Sequence, residues 1–162
     1  TPIGRSHKGS FRHLRPDDLL AIALRSALAQ VPGLDPKAIE DVICGCAIPE
    51  AQQGLNVARI GAILAGLPNS VGGITVNRFC ASGLSAVAMA ADRIRVGEAD
   101  VMIAAGTESM SMVPMMGNSP SLSPTIFRST EDIESYGIAY GMGLTAEKVA
   151  QQWKVSRDAQ DT

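Results

Sequence analysis

The chain has 162 residues, of which 46% are hydrophobic and 19% charged, and its formal net charge is −2. These values predict a globular domain with its own core and exclude a disordered chain. No basic stretch occurs, which argues against nucleic acid as a partner. The apolar runs are far shorter than the ~20 residues that cross a bilayer, so no membrane span is expected. Three cysteines without a framework spacing favour a reducing compartment.

The N-terminal third predicts helices followed by a strand. Proline and two acidic residues at 16–18 are typical of a helix start, and Pro32-Gly33 ends that helix. Its buried face is predicted from the apolar positions 20, 24, 27, 28 and 31. A second, short helix opens at Asp35-Pro36. Residues 41–48 then read as a nearly continuous apolar strand.

The pattern from there to Ser109 alternates helices with strands. We expect helices over 55–67 and 81–96 and strands over 74–76 and 101–105. On the helix over 81–96 the predicted apolar side consists of Leu84, Val87, Ala88, Ala91 and Ile94. A βαβαβ rhythm with apolar strands predicts an α/β fold with a mostly parallel sheet and helices on both faces. Ligands in such folds bind beyond the carboxyl ends of the strands, where Cys80 and residues 106–109 follow their strands.

The chain changes character after Ser109. Residues 110–141 are rich in Met, Pro, Ser and Gly without a clear period, which is typical of a functional excursion such as a lid or contact surface. A helix is predicted from Leu144 to Trp153 with Thr145 as a candidate cap, and Ser156 opens a further helix. We therefore predict two parts, an α/β domain over 1–109 and a second part over 110–162.

Cys80 is the main candidate for catalysis. It follows a predicted strand and stands at a predicted helix start, where unpaired N–H groups and the helix dipole favour a thiolate. A thiolate is the form that attacks an acyl group, and nearby N–H groups can stabilise the resulting oxyanion. The alternative is a small buried core residue, which is common for a free cysteine.

Other candidate residues have simpler explanations. Cys44 and Cys46 share one face of a strand, but no second pair at metal spacing follows, so packing is favoured over zinc. His7 and His13 lie in a basic segment that reads as a solvated loop, with a role near phosphate as the alternative. Five methionines are candidates for an adaptable apolar surface or for plain core filling: Met110, Met112, Met115, Met116 and Met142.

Several segments together resemble the thiolase family. Residues 77–87 (NRFCASGLSAV) resemble the acyl-enzyme signature, and 1–4 (TPIG) the opening loop. Residues 97–100 (GEAD), 106–111 (GTESMS) and 141–147 (GMGLTAE) follow in the family's order. The resemblance extends over essentially the whole chain.

The resemblance implies an acyltransferase. Cys80 would attack the 3-keto carbon of a 3-ketoacyl-CoA, release acetyl-CoA and pass its acyl group to free CoA. Met142 would lie near the acyl pocket, and 110–162 would begin a loop domain that covers CoA. The chain would hold no permanent cofactor and no metal, with CoA as a co-substrate.

The resemblance also bears on the branch and on completeness. Biosynthetic, acetoacetyl-CoA-forming thiolases usually carry a histidine where this chain has Gly141. Together with residues 77–80 and 112–115, this favours the degradative 3-ketoacyl-CoA thiolases of fatty-acid oxidation. The family's first strand, its Gly-His-Pro segment and its Cys-x-Gly-Gly-Gly-like segment do not occur here. The chain alone is therefore expected to be inactive.

The resemblance also implies partners, and alternative interpretations of the chain remain. The family's packing of a strand against its twin implies a homodimer or tetramer through 74–77, and complexes with other β-oxidation enzymes are a further expectation. A bacterial cytoplasmic location is expected, or a mitochondrial or peroxisomal one in a eukaryote. The alternatives are a biosynthetic thiolase, a non-thiolase condensing enzyme, and a non-catalytic assembly domain.

Overall fold

A computed structural model describes residues 5, 8–124 and 141–162 of the chain. The chain divides into two compact units, Thr1–Ser119 and Pro120–Thr162. The first unit contains helices α1 (Pro16–Leu28), α2 (Val57–Leu64) and α3 (Ser82–Arg95) and strands β1 (Asp41–Gly45), β2 (Gly72–Val76) and β3 (Met102–Gly106). The second contains α4 (Met142–Trp153) and the single turn α5 (Arg157–Gln160). The predicted loop domain over 110–162, with its role in covering CoA, stays a prediction.

The three strands form the parallel α/β sheet that the sequence predicts. Their order is β2-β1-β3, and Gly45 at the end of β1 stands opposite both Val76 and Gly106. The crossover from β1 to β2 runs in one direction along the sheet and that from β2 to β3 in the other. Right-handed crossovers in opposite directions put their helices on opposite faces, and α2 and α3 do pack on opposite faces.

The core lies on both sides of β1. On one face, α1 and α2 pack against the side chains of Val42 and Cys44. On the other face, α3 packs against Ile43 through Ala86 and Ala90. Every residue of β1 is buried, as expected for the central strand of a sheet covered on both faces.

The apolar side predicted for α3 is not the side that packs on the sheet. Leu84 and Val87 are 74% and 54% exposed, and Ala88, Ala91 and Ile94 are exposed as well. The sheet is instead met by alanines, whose short side chains let the helix backbone approach closely. The hydrophobic periodicity identified the side of α3 that carries its larger apolar side chains. In this unit that side faces away from the sheet and is exposed.

Helix ends account for smaller differences. α1 ends at Leu28, so Val31 lies beyond it and is exposed rather than buried; Ala27 is exposed within the helix. The expected second helix is one 3-10 turn, Pro36–Ala38. α2 ends at Leu64, because Gly66 adopts a left-handed φ of 86°. The N–H groups of Gly66 and Leu67 then bond back to Ile63 and Ala62, a Schellman motif.

The second unit differs from the sequence prediction at one helix start. α4 begins at Met142, so Thr145 lies inside the helix and does not cap it; its hydroxyl donates to the Gly141 carbonyl at 3.3 Å. α5 follows Ser156, whose hydroxyl accepts the N–H of Ala159 at 3.2 Å, as predicted. None of the helices in the described part of the chain has the length and apolar character needed to cross a bilayer.

Candidate active site

A cavity of about 450 Å³ opens at the carboxyl edge of the sheet. Segments that follow all three strands line it: Gly45, Ala47, Ile48, Phe79, Cys80, Ser82, Gly83, Gly106, Thr107, Glu108, Met110 and Met115. The sequence placed Cys80 and residues 106–108 at this edge, and the structure brings them together around one cavity. The cavity lies between β1 and β3, where the direction of the crossovers reverses and where α/β sheets bind their ligands.

The start of α3 lies directly against the end of β1. A Cβ added to Gly45 would stand 2.5 Å from both the Gly83 nitrogen and the Ser82 carbonyl carbon. Real side chains do not tolerate such distances to a backbone, so only glycine permits this approach. The contact places the beginning of α3 over the carboxyl edge of the sheet.

Cys80 is presented by a strained turn. It lies in a 3-10 turn, Phe79–Ala81, immediately before α3, rather than inside the helix. Phe79 has a left-handed φ of 44°, which for a bulky residue is an outlier costing about 1–3 kcal/mol. The N–H of Phe79 donates to Asn77 Oδ1 at 2.9 Å. The Ser82 hydroxyl accepts the Arg78 N–H at 2.8 Å and donates to the Phe79 carbonyl at 2.6 Å.

The three cysteines have different environments. Cys80 is exposed and lines the cavity. Cys44 and Cys46 are buried in the core that α1 and α2 form on one face of the sheet. Burial, and secondarily the neighbouring Cys46, raises the pKa of Cys44 to about 12. Burial, and secondarily Glu108, raises the pKa of Cys46 to about 11. Both remain thiols at neutral pH, so Cys80 is the accessible nucleophile among them.

One carboxylate stands on the cavity wall. Glu108 Oε2 accepts the N–H of Ala47 at 2.6 Å, and its Oε1 accepts the side-chain amide of Gln53. Gln53 is fully buried, donates to the Ile48 carbonyl at 2.7 Å and accepts the Ser109 N–H at 3.1 Å. This network joins the segments that follow β1 and β3.

The remaining candidate residues differ in burial and in their position along the fold. Met110 and Met115 line the cavity, while Met112 is half-buried and Met116 is exposed. His13 is exposed in a 3-10 turn, and His7 lies outside the described residues. Among the described residues, no three His, Cys, Asp or Glu side chains are grouped as metal ligands would be. Met142 is 73% exposed at the start of α4, in the second unit.

The sequence did not reveal three supporting residues. Gln53 has partners 55 and 56 residues away, and no local pattern indicates such pairings. The side chain of Asn77 accepts the N–H of Phe79 in an Asx turn. Asparagine commonly forms such turns, so its residue type is a signal that could have indicated this one. A single serine at the start of a helix does not indicate that its hydroxyl bonds to both Arg78 and Phe79.

Comparison with known proteins assigns this chain to a family. The sequence profile described as "Thiolase, N-terminal domain" matches residues 1–162. A protein of Bacillus subtilis strain 168 named 3-ketoacyl-CoA thiolase is 48% identical over 161 residues, and one of the same name from Colwellia psychrerythraea is 41% identical over 164. Each match covers 99% of this chain and 40% of the relative. The 3-oxoadipyl-CoA/3-oxo-5,6-dehydrosuberyl-CoA thiolase of Escherichia coli K12 is 44% identical over all of this chain and 43% of its own length.

The chain is thus an α/β protein with an exposed cysteine at the carboxyl edge of a parallel sheet. It belongs to the thiolase family and matches the N-terminal domain of that family. It spans about 40% of the length of the curated relatives it matches.

Proposed function

We propose that the polypeptide carrying this chain transfers acyl groups by thiolytic cleavage of 3-ketoacyl-CoA, with Cys80 as the nucleophile. One observation carries the proposal: of three cysteines, Cys80 alone is exposed, and it lines the cavity at the carboxyl edge of the sheet. Membership of the thiolase family and the names of the relatives support the same chemistry.

In the proposed reaction the Cys80 thiolate attacks the C3 carbonyl carbon of the substrate. The C2–C3 bond breaks, its electron pair stays on C2, and C2 takes a proton to give acetyl-CoA. The shortened acyl group remains on Sγ as a thioester. The thiolate of free CoA then attacks this thioester, which gives the shortened acyl-CoA and restores the cysteine. CoA is accordingly a co-substrate.

The residues that move the protons are expected elsewhere in the polypeptide. The resemblance implies a histidine in a Gly-His-Pro segment and a second cysteine, and neither segment occurs in these 162 residues. General acid–base catalysis contributes about 10²–10⁴-fold to such reactions. We therefore propose that residues 1–162 alone do not turn over substrate.

The degradative branch is favoured within this proposal. Gly141 stands where the biosynthetic branch usually has a histidine, and it is the residue immediately before α4. Relatives in Bacillus and Colwellia carry the name 3-ketoacyl-CoA thiolase. A biosynthetic acetoacetyl-CoA thiolase is the alternative, and comparing turnover of acetoacetyl-CoA with that of longer 3-ketoacyl-CoA esters distinguishes the two.

The decisive experiment locates the acyl group. The complete polypeptide is incubated with a 3-ketoacyl-CoA in the absence of free CoA, digested, and its peptides are weighed by mass spectrometry. We expect one acyl group on Cys80 and none in a Cys80→Ser variant. Acylation at another residue, or none in a folded wild-type protein, contradicts the assignment.

A non-catalytic assembly domain is the alternative to the enzymatic role, and the outer side of α3 is the surface that it would use. Leu84 and Val87 are exposed there, and β2 stands at an edge of the three-stranded sheet. We propose a homodimer or tetramer that pairs through residues 74–77. We also propose a cytoplasmic location, because the relatives described above are bacterial. Light scattering tests the assembly. Self-association of residues 1–162 without CoA binding or Cys80 acylation favours the non-catalytic role. A complete polypeptide that is monomeric contradicts both the oligomer and this role.

A further inference from the structure

Two side chains that the proposed chemistry does not use hold the turn that presents Cys80. Asn77 Oδ1 accepts the N–H of Phe79 at 2.9 Å. Ser82 Oγ accepts the N–H of Arg78 at 2.8 Å and donates to the carbonyl of Phe79 at 2.6 Å. Three backbone groups in the two residues before the cysteine are therefore fixed by side chains.

These hydrogen bonds act on a residue whose backbone is strained. Phe79 has a φ of 44°, and a bulky side chain in the left-handed region is under steric pressure to return to negative φ. Such a change rotates the peptide that joins Phe79 to Cys80 and turns the thiol away from its present direction. Strain of this kind persists only when surrounding contacts over-determine it.

Ser82 is itself fixed to the sheet. It is 4% exposed and is the first residue of α3, and its carbonyl carbon lies against Gly45 at the end of β1. Its hydroxyl is therefore a rigid reference point, whereas Asn77 is exposed and holds the turn from the solvent side. The turn is held from both sides.

We propose that Asn77 and Ser82 are positioning residues for Cys80. Their hydrogen bonds keep Phe79 in the left-handed region, and this keeps the thiol facing the cavity. The proposal rests on the proposed function only in that Cys80 accepts the acyl group, because the reactivity of the thiol can be measured without any acyl transfer.

The test compares four variants of the complete polypeptide. Ser82→Ala and Asn77→Ala each remove one side of the support, and Asn77→Asp keeps the acceptor oxygen. Ser85→Ala is the matched control, because it removes a hydroxyl three residues further along α3. For each variant we measure the rate constant of Cys80 alkylation by iodoacetamide, kcat and KM for a 3-ketoacyl-CoA, and the melting temperature.

We expect Ser82→Ala and Asn77→Ala to lower both the alkylation rate and kcat by about tenfold or more, with KM changed far less, because a small displacement of a reacting group costs large factors in rate. Asn77→Asp restores most of the rate, and Ser85→Ala behaves as the wild type. The proposal is overturned if both alanine variants react at wild-type rates, or if Ser85→Ala loses as much.

Two further outcomes are separable. If Ser82→Ala does not fold, the pair Asn77→Ala and Asn77→Asp at the exposed position decides the question. If wild-type Cys80 is alkylated but never acylated, the proposed function fails, and the alkylation rates still decide whether Asn77 and Ser82 position the thiol.

Discussion

The side-chain amide of Gln53 and the carboxylate of Glu108 are hydrogen-bonded across the end of the sheet, 55 residues apart in sequence. Gln53 lies in the segment after β1 and Glu108 in the segment after β3, so the contact joins two walls of the cavity beside Cys80. Gln53 is fully buried, yet its amide is satisfied on both sides through Ile48 and Ser109. A buried polar side chain with all its partners in place defines one arrangement of the loops it joins.

Replacing Gln53 should therefore be costly. Gln53→Ala leaves the N–H of buried Ser109 and the carbonyl of half-buried Ile48 without their partner, and buried groups left unpaired cost about 1–3 kcal/mol each. We expect the free energy of unfolding to fall by about 2–4 kcal/mol, measured by urea denaturation of the 162-residue chain. The control is Gln52→Ala, because Gln52 Oε1 has no hydrogen-bond partner in the described part of the chain. Equal losses in the two variants would contradict the role assigned to Gln53.

A second prediction concerns the close approach of α3 to the sheet. Gly45→Ala puts a Cβ 2.5 Å from backbone atoms of Ser82 and Gly83, so the start of the helix must move. We expect a loss of about 1–3 kcal/mol in the free energy of unfolding, as for overpacked cores, together with slower alkylation of Cys80.

The matched control for that substitution is Gly83→Ala. A Cβ at Gly83 meets no atom within 4 Å, and alanine is a better helix former than glycine by up to about 1 kcal/mol. Gly83→Ala should therefore be as stable as the wild type or more so. A Gly45→Ala protein with wild-type stability would show that the contact between β1 and α3 is looser than the structure indicates.

The sequence predicted the sheet well because each strand is an apolar run between turn residues. Strands were expected at 41–48, 74–76 and 101–105 and occur at Asp41–Gly45, Gly72–Val76 and Met102–Gly106. The common edge of the strands also placed Cys80 near residues 106–108. The sequence did not indicate which side of α3 meets the sheet, because periodicity emphasises large apolar side chains while the sheet is met by Ala86 and Ala90.

Cysteine reactivity gives a third prediction. At pH 8, iodoacetamide should modify Cys80 alone in the native chain, because Cys44 and Cys46 are buried and burial raises the pKa of each far above the pH. All three should react in concentrated urea. Peptide mass analysis after brief labelling checks this, and early native labelling of Cys44 would show that the strand opens readily.

The same two thiols predict a loss of stability in alkali. An unfolded cysteine loses its proton near pH 8.5, whereas Cys44 and Cys46 keep theirs to about pH 12 and 11 in the folded chain. The folded state therefore binds more protons in this window, and the free energy of unfolding falls as the pH rises above about 8.5. Denaturation series at several pH values should show a shallower decline in a Cys44→Ala/Cys46→Ala variant. An unchanged slope would mean that the buried thiols do not contribute.

The orientation of α3 yields the last prediction. Ala86 is fully buried against the sheet beside Ile43, while its neighbour Val87 is 54% exposed. In the 162-residue chain, Ala86→Leu should lower the free energy of unfolding by about 1–3 kcal/mol, since a larger side chain forces the helix away from the strand. Val87→Ala removes mostly solvent-exposed atoms and should change that energy by no more than about 0.5 kcal/mol. The opposite ranking in urea denaturation would mean that the larger apolar side chains, rather than the alanines, face the sheet.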